Sequence, residues 1–199
     1  WLILGTIYEF FIKMGTKLSF NKFFKRAIQL PRSAYGMSLA HIGVAIFVIG
    51  VTVSSAWRVD IEQPILKGET VFINDIELRF LDIIEVNGPN WVAERGKFEV
   101  IREGKNNEYL FPERRFYPAS QVNTSEPAIM SNVIFDLYVV LGENLQNDET
   151  FSLRVYYSPF INWIWFGIMC MALGGILSLT DRKHRLGYSV KINPETIYK

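Results

Sequence analysis

The sequence predicts a polytopic α-helical membrane protein segment that carries a small β-rich domain outside the cytoplasm. Two long runs contain no Asp, Glu, Lys or Arg: 25 residues from Ser33 to Trp57 and 26 from Val155 to Thr180. As helices they would extend roughly 37–39 Å at about 1.5 Å per residue, enough to cross a hydrocarbon core of about 30 Å. The residues between the two runs alternate polar and apolar side chains in short stretches, which is typical of β-strands.

The first residues of the chain predict a further helix. Residues 1–12 are mostly apolar, but they are too few to cross a bilayer as a helix. They lack the basic start and the small-residue cleavage site of a signal peptide. We therefore expect residues 1–12 to be the end of a truncated transmembrane helix, in the C-terminal piece of a larger membrane protein.

Charge is distributed unevenly and predicts the orientation of the segments. The loop 13–33 has six basic residues and no acidic one, and the tail 181–199 has five basic residues against two acidic ones. Segment 58–154 has 10 basic and 17 acidic residues. The positive-inside rule makes the basic loop and the basic tail cytoplasmic and segment 58–154 extracytoplasmic. Two full transmembrane helices, 34–57 and 155–180, are expected to connect them.

Segment 58–154 has the pattern of a small barrel or sandwich. Short alternating runs rich in β-branched and aromatic residues are separated by Gly, Pro and Asn turns. The first two runs flank an Asn74-Asp75 turn and predict a hairpin, and the next two predict a second hairpin. The predicted strands are 71–73, 76–80, 97–102, 108–111, 134–141 and 151–157.

Composition excludes several classes of protein. Cys170 is the single cysteine and lies inside the second apolar run, which excludes a disulfide-built secreted domain and a zinc finger. No long basic stripe accompanies an aromatic platform, so no nucleic-acid partner is expected.

His41 is the most informative single residue, because it lies eight residues into the first apolar run. An ionisable side chain at that depth is costly and indicates function. At about 100° per residue, helix geometry surrounds it with small side chains. These are Ala34, Ser38, Ala45, Thr52 and Ser55. A seam for another helix is expected roughly opposite, at Gly36, Gly43 and Gly50. A bulky arc suited to lipid is expected at Ile42, Ile46, Ile49 and Val53.

The small side chains around His41 leave room for a flat group beside the imidazole. Haem fits this description, since imidazole is a common axial ligand of haem iron. The residues alone leave two alternatives open, a structural hydrogen bond to a neighbouring helix and a proton relay.

Four residues of the β-rich segment are weaker candidates for contacts with haem or a partner. Arg114 and Arg115, beside Phe116 and Tyr117, could cradle a haem propionate or a partner's carboxylate, because a guanidinium group binds carboxylates through two donors. An ordinary ion pair explains the two arginines equally well. Trp91, at the end of a Gly-Pro-Asn-Trp turn, is either a contact point or a corner of the domain.

A series of short motifs follows one order along the chain. They are Leu39-Ala40-His41-Ile42-Gly43-Val44-Ala45, Gly88-Pro89-Asn90-Trp91, Glu113-Arg114-Arg115-Phe116-Tyr117, Asp136-Leu137-Tyr138, Leu141-Gly142-Glu143, Trp163-Ile164-Trp165 and Ala172-Leu173-Gly174-Gly175. In order and spacing they resemble the C-terminal part of the CcmF family, the large haem-lyase subunit of cytochrome c maturation system I. The resemblance extends from about Gly36 to Arg185.

The resemblance implies a subunit of an inner-membrane enzyme that attaches haem covalently to apocytochrome c. It implies haem b as cofactor, with His41 as one of the two axial ligands. His41 is therefore expected both to bind the cofactor and to coordinate the haem iron. The implied partners are haem, a membrane-anchored haem chaperone, apocytochrome c, other maturation subunits and the lipid bilayer. No catalytic residue of this sequence is implied.

The resemblance also limits what this chain can do by itself. The other haem ligands and the Trp-rich segment of the family are not in this sequence, so the fragment alone is expected to be inactive. The expected location is the bacterial inner membrane with the β-rich domain in the periplasm, and the mitochondrial inner membrane is the alternative. The alternative function is a non-enzymatic, membrane-anchored assembly module whose β-rich domain recruits partners.

Overall fold

The computed structural model describes residues 1–14, 30–104, 106–146 and 150–181. The helices in these ranges are α1 (Leu2–Met14), α2 (Arg32–Ala56) and α3 (Ile161–Leu179). The strands are β1 (Val59–Leu66), β2 (Thr70–Ile73), β3 (Ile76–Asn87), β4 (Val92–Arg102), β5 (Glu108–Leu110), β6 (Glu113–Tyr117), β7 (Val122–Glu126), β8 (Ala128–Ser131), β9 (Phe135–Gln146) and β10 (Thr150–Pro159). The chain divides into a helical unit, Trp1–Val48 with Ile164–Lys199, and a second unit, Ile49–Trp163.

The second unit contains a β-sandwich of two antiparallel sheets. One sheet has the strand order β1-β10-β9-β8, and the other has the order β2-β3-β4-β6-β7 with β5 also paired to β4. The expectation of a barrel or sandwich is therefore narrowed to a sandwich. Its first and last strands are neighbours, with Val59 opposite Tyr157 in the register.

The core of the sandwich consists of large apolar side chains from both sheets. Phe80 of β3 stacks on Phe98 of β4 with ring centroids 4.8 Å apart, and Phe151 of β10 meets Phe80 edge-on at 6.1 Å. Leu137 and Leu153 are fully buried beside them in the same cluster. Alternation along each strand places these residues on one face, which is why the two sheets pack together.

Both predicted hairpins are confirmed. Ile73 pairs with Ile76 across the Asn74-Asp75 turn, and Asn74 has a φ of 52°, a left-handed conformation that Asn tolerates better than most residues. In the second hairpin Phe98 of β4 pairs with Leu110 of β5. The turn chemistry and the alternation were sufficient to predict both pairings.

The end of the sandwich differs from the prediction of a helix over 155–180. Residues 155–159 belong to β10, which pairs with β1 on one side and β9 on the other, and α3 begins at Ile161. Val155 is buried while Tyr156 is half-buried, so these charge-free residues follow a period of two rather than 3.6. Absence of charge alone does not separate a buried strand from a helix.

Helices α2 and α3 are long and apolar enough to cross a membrane, judged by length and composition. In the helical unit they pack at glycines: a Cβ atom on Gly36 would lie 2.5 Å from the backbone oxygen of Gly174. A Cβ atom on Gly43 would lie 2.7 Å from the backbone nitrogen of Met171. The predicted glycine seam is confirmed at Gly36 and Gly43.

The arc of α2 that the sequence assigned to lipid is in part covered by another helix. Ile42 lines a cleft of about 310 Å³ together with Leu39 and residues of α1. Phe10 of α1 meets Tyr35 of α2 edge-on, with ring centroids 5.5 Å apart. Bulky apolar side chains suit lipid and a neighbouring helix equally, so the sequence could not distinguish them. The predicted basic loop 13–33 and basic tail 181–199 lie mostly outside the described residues.

Candidate functional site

His41 lies in the first half of α2 and is half-buried. Helix geometry at about 100° per residue places it roughly opposite Gly36 and Gly43, so its face is the one turned away from α3. Within the described part of the chain, the imidazole of His41 makes no hydrogen bond and no ion pair. The glycine contacts between α2 and α3 lie on the other side of α2 from this imidazole.

Small residues flank His41, as the sequence predicted. Ala34 and Ala45 are 8% exposed, and Ser38, one helical turn away, lines the cleft between α1 and α2. Val48, two turns further along the same side of the helix, is 52% exposed. The face that carries His41 is thus uneven, with small buried side chains beside the imidazole and apolar side chains that remain uncovered.

The donor set of the helices fits a single axial ligand. Among the described residues, no group of three or more His, Cys, Asp or Glu side chains could hold a metal ion. One imidazole on an apolar helix can bind haem iron from one side, and a second ligand must then come from another segment. The residues present therefore fit haem as the source of one of its two axial ligands.

A second cluster lies on the outward face of the sheet that contains β4 and β6. Glu113 is almost fully buried and accepts hydrogen bonds from Nε of Arg95 at 2.6 Å and from Nε of Arg115 at 2.8 Å. The guanidinium group of Arg115 also lies 4.5 Å from the ring centre of Trp91. Arg115 is therefore held by a carboxylate and an aromatic ring at once.

The electrostatics of this cluster follow from its contacts. Burial acts to raise the pKa of Glu113, but the hydrogen bonds from Arg115 and Arg95 outweigh it and lower that pKa below its ordinary value. The hydrogen bonds to Glu113 and Tyr117 raise the pKa of Arg115. Arg115 has a further ion pair with Glu126 at 3.9 Å. Its charge is satisfied inside the domain.

Arg114 lies on the opposite face of the same strand. Its guanidinium nitrogens are 3.4 Å from carboxylate oxygens of Glu94 in β4 and of Glu143 in β9, which belongs to the other sheet. Successive side chains of a strand point to opposite faces, so the two guanidinium groups lie on opposite faces of β6. The ion-pair explanation of the two arginines agrees with their contacts.

Trp91 packs against the turn that precedes it. A side chain on Gly88 would collide with the indole ring of Trp91, and Gly88 N–H donates a hydrogen bond to the Trp91 carbonyl at 2.8 Å. Arg115 contacts both Trp91 and Tyr117, whereas Arg114 lies on the opposite face of β6. The roles of His41, Trp91, Arg114, Arg115 and Tyr117 in binding remain predictions.

Sequence reasoning did not identify Glu113 and Arg95 as central to this cluster. Residues 113 and 95 are directly opposite in the β4–β6 register, which a single sequence does not give. The available signal was the spacing of Glu113, Arg115 and Tyr117 at every second position, which is the period of one strand face.

The family described as CcmF C-terminal beta-sandwich matches residues 56–159, slightly more than half of the chain and the whole sandwich. The chain belongs to the CcmF family. Among curated relatives, the cytochrome c-type biogenesis protein CcmF of Haemophilus influenzae is 39% identical over 171 residues, which cover 86% of this chain and 26% of that protein.

Other CcmF proteins are also similar to most of this chain. The cytochrome c-type biogenesis protein CcmF of Escherichia coli is 34% identical over 200 residues, which cover 99% of this chain and 29% of that protein. The solved structure of a cytochrome c heme lyase CcmF shares the fold with a TM-score of 0.58 at 21% identity. That match covers 75% of this chain and 25% of that one. The chain thus spans about a quarter of the length of its relatives.

Proposed function

We propose that this chain is part of a membrane haem lyase of cytochrome c maturation and that His41 supplies one axial ligand to a transmembrane haem b. The observation that carries the proposal is the half-buried imidazole of His41, unpartnered among the described residues, on an apolar helix of a CcmF-family chain. The relatives named as cytochrome c biogenesis proteins and the solved haem lyase support the same process.

In this proposal, haem supplies an iron that changes between the ferrous and ferric states. His41 would hold that iron through one imidazole nitrogen. Ala34, Ser38 and Ala45 leave room beside the imidazole, and the glycine contact with α3 holds α2 so that His41 keeps one orientation. The second ligand belongs to the rest of the protein. The proposed partners are apocytochrome c, a membrane-anchored haem chaperone and other maturation subunits.

The proposed location is a bacterial inner membrane, crossed by α2 and α3, with the sandwich in the periplasm. The basic flanks and the acidic middle segment support this orientation through the positive-inside rule. Cysteines introduced at Asn106 and Lys183 test it with an impermeant thiol reagent on intact cells. We expect labelling at Asn106 and protection at Lys183, and the reverse pattern would contradict the orientation.

The haem-ligand role is tested by His41→Ala in the full-length protein of the host. We expect retained haem b to fall several-fold, because one of two axial bonds is lost, while membrane insertion stays unchanged. Ser38→Ala is the matched control, since it removes a polar group one helical turn away without removing a nitrogen ligand. The measurement is the reduced-minus-oxidised spectrum at equal protein.

A second variant separates ligand loss from damage to the helix. In His41→Gly, added imidazole should restore part of the haem signal by occupying the vacated space. Haem content that is unchanged in His41→Ala would return His41 to a structural role. Covalently haem-bound cytochromes c at normal levels in a deletion strain would favour the non-enzymatic assembly module.

A further inference from the structure

The turn between β8 and β9 presents two neighbouring aliphatic side chains to the outside of the sandwich. Val133 is 74% exposed and Ile134 is 59% exposed. Singly scattered exposed apolar residues are common on proteins, whereas Val133 and Ile134 are adjacent and form one small apolar patch at the end of a hairpin. We call residues 132–134 the β8–β9 tip.

The β8–β9 tip has a defined conformation. The side-chain oxygen of Asn132 accepts hydrogen bonds from the backbone N–H groups of Ile134 and Phe135, each at 2.9 Å. The backbone N–H of Asn132 donates to the carbonyl of Phe135 at 3.1 Å. An Asn side chain that closes a turn in this way replaces backbone hydrogen bonds and fixes the turn. The aliphatic pair is therefore held in place before any partner binds.

Hydrogen bonds join the β8–β9 tip to the beginning of α3. Trp163 Nε1 donates to the carbonyl of Val133 at 3.0 Å, and the backbone N–H of Phe160 donates to the carbonyl of Ile134 at 2.6 Å. Asn162 Nδ2 donates to the carbonyl of Asn132 at 2.8 Å. Every residue of the tip is thus fastened to the segment from which the apolar helix starts.

We propose that the β8–β9 tip inserts Val133 and Ile134 into the boundary between headgroups and acyl chains of the bilayer. The inference rests on the proposed crossing of the membrane by α3. Its support is continuity: the tip is bonded to the first residues of a 19-residue apolar helix, including a Trp of the kind that prefers the interface. The tip itself carries no charged side chain, which makes lipid the fitting occupant.

The test is a depth measurement on the full chain in phosphatidylcholine vesicles. Single cysteines replace Val133, Ser120 and Leu173 in a Cys170→Ala background, and each carries a nitroxide label. Ser120 lies in an exposed turn of the sandwich, and Leu173 is an exposed residue in the middle of α3. Collision with oxygen relative to a water-soluble nickel chelate reports the depth of each label.

We expect the oxygen-to-nickel ratio at position 133 to exceed that at 120 several-fold and to fall below that at 173. A ratio at 133 equal to that at 120, with 173 deep in the bilayer, overturns the inference and leaves the membrane-spanning proposal intact. A label at 173 that is open to the nickel chelate overturns both.

Discussion

The helical unit and the sandwich of this protein are packed by opposite means. Helices α2 and α3 meet backbone to backbone at Gly43 and Gly167, where there is no room for one more carbon atom. The sandwich is filled by large side chains such as Phe80 and Phe98, which are 0% exposed. One unit is intolerant of added atoms, and the other is intolerant of removed ones.

This difference bears on where function can be carried. A helix that packs through glycines is covered on one side only by that contact, and His41 of α2 lies roughly opposite the glycines, beside the cleft that α1 lines. In the sandwich, the arginines that were candidates for binding haem or a partner already have partners of their own. Arg115, for example, contacts Glu113 and Trp91. Ligand chemistry is therefore expected in the helices, and the arginines of the sandwich are expected to act on stability.

The largest effect should come from emptying the sandwich core. Phe80→Ala removes a ring that contacts Phe98 and Phe151, and we expect the free energy of unfolding to fall by about 3–5 kcal/mol. Denaturant unfolding of the full chain in detergent, followed by the β-sheet circular dichroism signal, measures it. Phe72→Ala is the control, because Phe72 is 69% exposed and its loss should be nearly neutral.

The next effect should come from adding one carbon to the helical seam. A Cβ on Gly167 would lie 2.6 Å from the backbone nitrogen of Phe47, so we expect Gly167→Ala to weaken the α2–α3 contact by about 2 kcal/mol. On the same helix, a Cβ on Gly175 would meet no atom within 4 Å. Unfolding in sodium dodecyl sulfate should distinguish the two variants, and equal loss in both would contradict the seam.

A third effect concerns the buried carboxylate of the sandwich. Glu113→Gln weakens its hydrogen bonds with Arg95 and Arg115, and we expect it to reduce the stability of the sandwich by about 1.5 kcal/mol at neutral pH. Denaturant unfolding measures this loss. Glu126→Gln is the matched control, since its pair with Arg115 is 3.9 Å long and half-exposed, and such pairs contribute little.

The pH dependence of the same site has a defined sign. The pKa of Glu113 is lowered by folding, so its contribution to stability is present above the ordinary value of 4.5 and is lost as pH falls below it. The stability difference between the native chain and Glu113→Gln should therefore shrink at low pH. A difference that stays constant on acidification would show that the charge of Glu113 does not matter.

The smallest effect separates the two neighbouring arginines. Arg115→Lys should cost about 1 kcal/mol, because Lys cannot keep both the contact with the Trp91 ring and the pairing with Glu113. Arg114→Lys should cost less, since both of its ion pairs are 3.4 Å long. Thermal unfolding followed by tryptophan fluorescence measures both, and the opposite order would contradict the stronger contacts assigned to Arg115.

The sequence predicted the parts of the fold that depend on local pattern. Alternation and turn residues gave the hairpin across Asn74, and the spacing of Gly36 and Gly43 gave the helix seam. Contacts between distant segments were not predictable in this way. The pairing of Glu113 with Arg95 depends on the register between β4 and β6. Residues 155–159 form a strand because they pair with β1 on one side and β9 on the other.

Among the candidate site residues, local pattern was likewise sufficient to single out His41, whose role stays a prediction. His41 was identifiable because a polar ring in a charge-free run is conspicuous without any tertiary information. The contacts of Arg114 and Arg115 could not be read from their adjacency, since neighbours in sequence lie on opposite faces once the segment is a strand, and their roles in binding stay predictions.

The pairing of the first and last strands also limits how early the sandwich can close during biosynthesis. Val59 of β1 cannot pair until Tyr157 of β10, about 100 residues later in the chain, has been synthesised. At roughly 5–20 residues per second, β1 remains an unpaired edge for on the order of ten seconds during translation. By the time β10 arrives, the ribosome is about to release α3. Closure of the sandwich therefore comes only after β10 has been synthesised, and until then β1 is an exposed strand edge for which a chaperone would matter most.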